Sequence, residues 1–344
     1  MPVPPVLYGG IERIVDFLVR GLVERGHRVV LFAHPESRTP ARLVPYGVPP
    51  HRSRVARARE LAQLGSALLR YAPRLDVIHS FGRLAALAPC LPFRRLPKIQ
   101  SYQRDGVPWR SVAMADRLAG RSLLFTGCST SVYAHRPPTG GGRWRTVFNG
   151  VDVEKYTFAA NVAPDAPLAF LGRLERIKGA HNAIAIARAA GRRLVIAGNR
   201  VDTPDDARYF DDEIAPFIDG DAVRYVGPVD DAQKNALLGS SLAFLMPIEW
   251  EEPFGIVMAE ALACGTPVIG YPRGAVPEVV RDGVNGFSCT TVEEAARAVG
   301  RVASIDRATV RRDCVARFGN DAIVSQYEAL YREMLAEVRT KRAS

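Results

Sequence analysis

The sequence predicts an α/β protein made of two doubly wound parallel sheets in series. Three observations carry that reading. Short β-branched and aliphatic runs alternate with longer amphipathic segments along the whole chain. Such alternation implies parallel pairing, with helices covering both sheet faces. A length of 344 residues also exceeds one ordinary core, so the alternation divides between two domains.

The first helix is predicted over 11–25, because Ile11, Ile14, Val15, Leu18 and Leu22 share one side and Gly26 ends it. A buried strand follows at 29–33, then a helix at 61–69 and strands at 75–79, 98–102, 123–126 and 144–148. The last of these stops at the turn signal Asn149-Gly150. A second unit starts near Ala166 with a strand at 168–172, an alanine-rich helix at 180–190 and a strand at 193–198. A helix over 211–218, a strand at 223–227, a helix at 231–238 and a strand at 242–246 continue the pattern. Then come a helix at 255–264, a strand at 267–270 and helices at 276–281, 292–299, 308–318 and 321–337. The expected division is 1–160, 161–322 and a helix over 323–344 that crosses back to the first domain.

The pattern breaks at one place. A doubly wound unit normally sets a strand before its first glycine turn. Here seven residues precede Tyr8-Gly9-Gly10, and Pro2, Pro4 and Pro5 are among them. Proline is confined to edge strands and bulges. The expectation is a true start upstream of Met1; the other reading is a domain without its central strand, which leaves backbone groups unpaired.

Composition excludes several classes. Apolar residues make up 47% and charged residues 24%, as in soluble globular chains. No apolar run reaches the length of a membrane span, and the opening residues lack the basic-then-apolar order of a signal peptide. The formal charge of +10 is scattered and mostly arginine, which argues against nucleic acid as a partner. It would suit anionic substrates or an anionic membrane surface, so peripheral contact at the inner face of the membrane stands beside a cytoplasmic location. The five cysteines (Cys90, Cys128, Cys264, Cys289, Cys314) are odd in number and lack metal-ligand spacing, which speaks for a reducing compartment and against structural zinc.

The richest stretch for chemistry is 250–267. Glu260 lies within an apolar helical run, where a carboxylate needs a polar partner. Glu252 precedes Pro253-Phe254-Gly255, and the helix begun there can offer the amides of Ile256 and Val257 to a diphosphate. Ribose hydroxyls suit Glu260, although a buried pair with an arginine is the plainer alternative. Glu249 and Glu251 read as solvated. Arg173 and Lys178 lie between a strand and a helix, and a guanidinium fork with an ammonium can converge on one anion; surface salt bridges would use the same residues. Gly9 and Gly10 open the first helix, as a phosphate-approaching turn or simply a tight one. His79 ends a strand, where both active-site and core histidines occur. Arg104 follows the strand at 98–102 and suits an acceptor anion or the surface alike.

Gly172-Arg173 with Lys178-Gly179, then Glu252-Pro253-Phe254-Gly255 through Glu260, then Gly265-Thr266-Pro267 form an ordered set. With Asn149-Gly150-Val151-Asp152 and Tyr8-Gly9-Gly10 it resembles the retaining glycosyltransferase family 4 over nearly the whole chain. The resemblance implies the GT-B fold, two Rossmann-like domains facing a cleft. It implies a metal-independent retaining transferase that moves a sugar from a nucleotide diphosphate sugar to an acceptor hydroxyl, with no cofactor beyond that donor. Arg173 and Lys178 would then neutralise the diphosphate, Glu260 would bind ribose, Glu252 would hold the sugar hydroxyls and Gly10 would approach from the first domain. Backbone at 225–229 would frame the base. The chain departs from the family at His79-Ser80-Phe81, where many members carry a second histidine, and at Ser101-Tyr102-Gln103-Arg104, where many carry a histidine-glycine pair. A nucleotide-sugar 2-epimerase, a phosphorylase and a non-catalytic nucleotide-sugar-binding protein are the alternatives on this fold. Acceptor identity and oligomeric state have no signature in the sequence.

Overall fold

The structure, a computed structural model, describes residues 1–5, 9–46 and 53–340. Tyr8 of the first glycine turn lies outside the described residues. Two compact units are present, Met1–Asn149 with Asn320–Ser344, and Gly150–Gly319. The divisions thus fall at 149 and 319 where 160 and 322 were expected. The reason is local: the Val151 amide donates to the Phe318 carbonyl at 2.8 Å, so the connecting segment already belongs to the second unit there.

The first unit runs α1 (Gly10–Glu24), β1 (Val30–Ala33), β2 (Arg42–Pro45), α2 (Arg54–Tyr71), β3 (Ile78–Ser80), β4 (Lys98–Tyr102), α3 (Trp109–Ala119), β5 (Leu123–Gly127) and β6 (Trp144–Thr146). β3, β4, β5 and β6 form a four-stranded parallel sheet, while β1 and β2 form a separate parallel pair. The sequence reading lacked β2 and α3. β2 is a short strand exposed at both ends, so it carries no alternation. α3 buries Val112, Ala115 and Ala119, a stripe too small-sided to stand out. α2 begins earlier than expected because the Ser53 hydroxyl accepts the Ala56 amide at 3.1 Å, an N-cap.

The second unit runs β7 (Leu168–Leu171), α4 (Ala180–Ala189), β8 (Leu194–Ala197), α5 (Pro204–Glu213), β9 (Val223–Tyr225), α6 (Asp231–Ser240), β10 (Ala243–Met246), α7 (Ile256–Ala263), β11 (Val268–Gly270), α8 (Val276–Val279), β12 (Gly286–Ser288), α9 (Val292–Arg301) and α10 (Arg307–Phe318). Its six strands are ordered β12-β11-β10-β7-β8-β9, with the first strand in the centre. β8 and β10 are buried along their whole length, as parallel strands covered on both faces must be. The helix expected over 211–218 lies earlier, as α5: Thr203 caps it and Pro204 occupies its first turn, a start signal that the acidic run at 211–213 obscured.

α11 (Asn320–Thr340) belongs to the first unit and packs on α1. Ile323, Val324 and Tyr327 join Leu18, Leu22, Ile99 and Leu124 in one buried cluster. A Cβ on Gly21 would stand 2.6 Å from Val324, so glycine lets the two helices cross closely. Arg25 then bonds Glu328 at 2.6 Å and Ser325 at 2.9 Å. Among the described residues no helix is long and apolar enough to cross a membrane. All five cysteines are buried and free.

Candidate functional site

Two backbone-to-backbone contacts shape the loops beyond β7 and β10. Gly179 has φ +77°, and a Cβ there would stand 1.9 Å from the Pro247 carbonyl oxygen. Only glycine adopts that angle at that distance, so the loop after β7 lies directly on the loop after β10. Gly274, at φ +56°, would set a Cβ 2.3 Å from the Glu252 amide nitrogen, and the Ala275 amide donates to the Glu252 carbonyl at 2.8 Å. Glu252 is thereby held by backbone from β11's side and Lys178 from Gly179's side.

Between those contacts, Lys178 Nζ donates to Glu252 Oε2 at 2.6 Å, and the Trp250 indole donates to the same oxygen at 3.1 Å. The ammonium also stands 4.4 Å from the Trp250 ring centre. Both charged side chains are largely covered, at 16% and 13% exposure. Nothing among the described residues bonds the other oxygen of Glu252, which leaves an acceptor for a ligand hydroxyl.

α7 starts just beyond. Gly255 is its N-cap and supplies no side-chain bond. The first helical amides, Ile256 and Val257, have no hydrogen-bond partner among the described residues, so the helix start is a set of open donors with positive potential. One turn on, Glu260 Oε1 accepts from Tyr156 Oη at 2.6 Å and from Lys234 Nζ at 2.6 Å. Burial, and then the Glu260 charge, pushes the Tyr156 hydroxyl far above its usual range, so it stays a proton donor. Glu260 thus has a lysine and a tyrosine where an arginine was the plainer expectation. Its second oxygen has no partner among the described residues.

The remaining predicted residues distribute as follows. Arg173 pairs with Glu175 at 2.8 Å and is more than half exposed, so it is not bound to the Lys178–Glu252 pair. Glu249 and Glu251 are not merely solvated: Glu249 bonds His181 at 3.1 Å and Asn182 at 3.0 Å, and Glu251 accepts the Gly274 amide at 2.6 Å. Gly9 is the N-cap and Gly10 the first residue of α1, in the first unit. The sequence reading missed Lys234, Tyr156 and Trp250. Lys234 had a signal, since it is, like Lys178, one of only five lysines in a chain whose basic residues are mostly arginine. Tyr156 and Trp250 had none beyond proximity to motifs.

His79 sits in a network on β3. Its Nδ1 is 2.7 Å from Tyr331 Oη and its Nε2 2.7 Å from Ser101 Oγ, with Phe81 and Tyr327 rings 4.3 and 4.8 Å away. Burial pushes its pKa from 6.5 down to about 3. A neutral histidine with both nitrogens engaged links β3 to β4 and α11. The unfolded chain takes up this proton near 6.5 and the folded chain does not. Stability from His79 is therefore complete above that value and falls with pH between 6.5 and about 3, by at most about 1.4 kcal/mol per pH unit. Urea unfolding of wild type and His79→Gln across this range checks it: the variant should show the shallower pH dependence, and identical slopes would refute the assignment.

Beside this network, the end of β4 and the residue after it carry buried polar atoms without partners among the described residues: Gln100 Oε1, Tyr102 Oη and both amide atoms of Gln103; Asn149 Oδ1, shortly after β6, is another. Buried polar atoms without partners are rare and need a reason. Among the described residues no group of three or more His, Cys, Asp or Glu side chains could hold a metal ion.

Comparison with known proteins adds to this geometry. Residues 155–315 match the family model "Glycosyl transferases group 1", and residues 8–155 match "Glycosyltransferase Family 4". A glycogen synthase of Mycobacterium tuberculosis is 29% identical over 366 residues, covering 91% of this chain and 87% of that protein. The crystal structure of AviGT4, a glycosyltransferase involved in avilamycin A biosynthesis, is 28% identical with a TM-score of 0.67, covering 97% of this chain and 93% of that one. A glycosyltransferase from Rickettsia africae, at 15% identity, shares the fold with a TM-score of 0.76, covering 95% of each chain.

Proposed function

We propose that this chain, which belongs to the glycosyltransferases of GT-B fold, moves a sugar from a nucleotide diphosphate sugar to an acceptor hydroxyl, with retention and without a metal ion. The observation that carries the reading is the Lys178–Glu252 pair set beside the open amides of α7, with Glu260 one turn further. Open helix-start amides and an ammonium suit a diphosphate, and two carboxylates with one free oxygen each suit ribose and sugar hydroxyls.

The chemistry needs charge stabilisation at two points. As the glycosidic bond to the diphosphate breaks, negative charge grows on the leaving oxygen and the sugar takes on oxocarbenium character. Lys178, Arg173 and the amides of Ile256 and Val257 would meet the first charge, and one such donor is worth roughly 3 kcal/mol of barrier. The acceptor hydroxyl attacks the face the diphosphate leaves, and a diphosphate oxygen takes its proton. No enzymic carboxylate need form a covalent intermediate, unlike the retaining glycosidase pair.

A thermal-shift panel of nucleoside diphosphates and their sugars, run with EDTA, tests the reading. One base should raise the unfolding midpoint through binding linkage, and donor turnover with an acceptor should persist with EDTA within about twofold of its value in magnesium, because the helix-start amides and Lys178 replace the metal's charge. Silence from every nucleotide would remove the donor site. Turnover without acceptor would mark a 2-epimerase, binding without any turnover a sensor, and EDTA loss restored by magnesium a metal-dependent enzyme.

A further inference from the structure

Residues 151–167, which lead into β7, form one short 3-10 turn, Val153–Lys155, and no α-helix. Yet Tyr156, in the middle of them, is only 8% exposed and sets its hydroxyl on Glu260. A segment with so little structure of its own needs an outside hold to aim a side chain.

That hold comes from α10. The Asp306 carboxylate caps this helix, accepting the Ala308 and Thr309 amides at 3.1 and 3.0 Å. Arg307 and Arg311 lie four residues apart and so share one face of it. Arg311 donates to the Val153 carbonyl at 2.8 Å, to the Tyr156 carbonyl at 3.0 Å and to the Ala263 carbonyl in the last turn of α7. Arg307 donates to the Ala159 carbonyl at 2.7 Å, the Ser241 carbonyl at 3.1 Å and Thr266 Oγ1 at 2.7 Å. Neither makes an ion pair among the described residues, whereas Arg281 and Arg317 both reach Asp313. The two guanidinium groups serve backbone, and a planar fork serves it in a fixed geometry.

Arg311 therefore sets a distance. One end of its span is the Tyr156 backbone; the other is Ala263, one helical turn beyond Glu260 on α7. The Tyr156 side chain bridges back from the first to Glu260 Oε1 at 2.6 Å. Lys234 reaches the same oxygen at 2.6 Å, but its ammonium sits on a flexible four-carbon stem that can follow the carboxylate through several rotamers. A tyrosine ring on a tethered backbone cannot follow in that way.

We propose that Arg311 is a positioning residue for donor recognition: it ties the Tyr156 backbone to the end of α7 and so holds Glu260 with its second oxygen presented to ribose hydroxyls. The proposal rests on the donor reading above, in which Glu260 takes the ribose.

The test is a double-mutant cycle in the full chain, made of wild type, Arg311→Met, Tyr156→Phe and the two combined, with Arg311→Lys alongside. Each protein is read for its unfolding midpoint without ligand. Each is also read for the affinity ratio between uridine, guanosine or adenosine diphosphate and the matching 2′,3′-dideoxy form. Wild type should prefer the ribose form of its nucleotide by about tenfold or more. Arg311→Met and Tyr156→Phe should each bring that ratio to within about threefold, and the double variant should lose no more than either. Arg311→Lys can still serve one carbonyl and should fall between Arg311→Met and wild type. Without ligand, the double variant should lose less midpoint than the two single losses added together. A full ratio in Arg311→Met beside a lowered midpoint would make Arg311 a structural tie only and overturn the proposal. Additive midpoints beside a full wild-type ratio would also overturn it, and would leave the donor reading standing. A wild-type ratio near one with coupled midpoints would overturn the ribose reading of Glu260 and this proposal together.

Discussion

Lys178→Ala is expected to cut turnover at saturating donor by about a hundredfold or more and to weaken nucleoside diphosphate binding at least about tenfold. Two losses combine. On the proposed reading the leaving diphosphate is deprived of an ammonium, and Glu252 is deprived of the partner 2.6 Å away in a site where both are mostly covered. An unpaired, poorly solvated carboxylate then faces an incoming polyanion, so ground state and transition state both suffer. Lys178→Arg should recover only part of this, because a forked guanidinium does not take the ammonium's place over Trp250, 4.4 Å from the ring centre. Adding Glu252→Gln to Lys178→Ala should restore some nucleotide affinity by removing the stranded charge. Calorimetry and steady-state rates on the four proteins decide the matter. Wild-type affinity and rate in Lys178→Ala would separate this pair from the donor.

Glu260→Ala should remove discrimination at the ribose. Wild type is expected to bind a nucleoside diphosphate at least about tenfold more tightly than its 2′,3′-dideoxy form, since a charged acceptor for a hydroxyl is worth about 1.5–3 kcal/mol. The variant should bind the two alike. It should also unfold about 2 kcal/mol more easily, because Lys234 and Tyr156 both lose the oxygen they share at 2.6 Å. Glu260→Gln keeps an acceptor for Tyr156 but not the ion pair, so it should fall between. Discrimination that survives in Glu260→Ala would move ribose recognition elsewhere, whatever the stability shows.

Much of this was readable from residues alone, for particular reasons. Parallel strands buried on both faces give uninterrupted apolar runs, which is why β4, β7, β8 and β10 were placed within a residue or two. Loops that need glycine announce themselves, and Gly179 and Gly255 marked the ends of the site for that reason. Partner identity was not readable. Glu260 plainly needed a counterion, but Lys234 is 26 residues away and Tyr156 is 104 away, and only the folded chain brings them together. The partners of His79 were not readable either: Tyr331, 252 residues later, engages one ring nitrogen, and burial keeps the imidazole neutral. Weak helices such as α3 escaped because alanine buries a face without signalling it.

α11 carries a consequence for biogenesis. Its buried residues complete the core that α1, β4 and β5 begin, yet it is separated from them by the whole of Gly150–Gly319. That intervening unit is continuous in sequence and finishes emerging from the ribosome before α11 does. The usual order, in which amino-terminal domains mature first during synthesis, is therefore reversed: the early half waits, its apolar helix surface in need of chaperone cover, until the closing helix is translated.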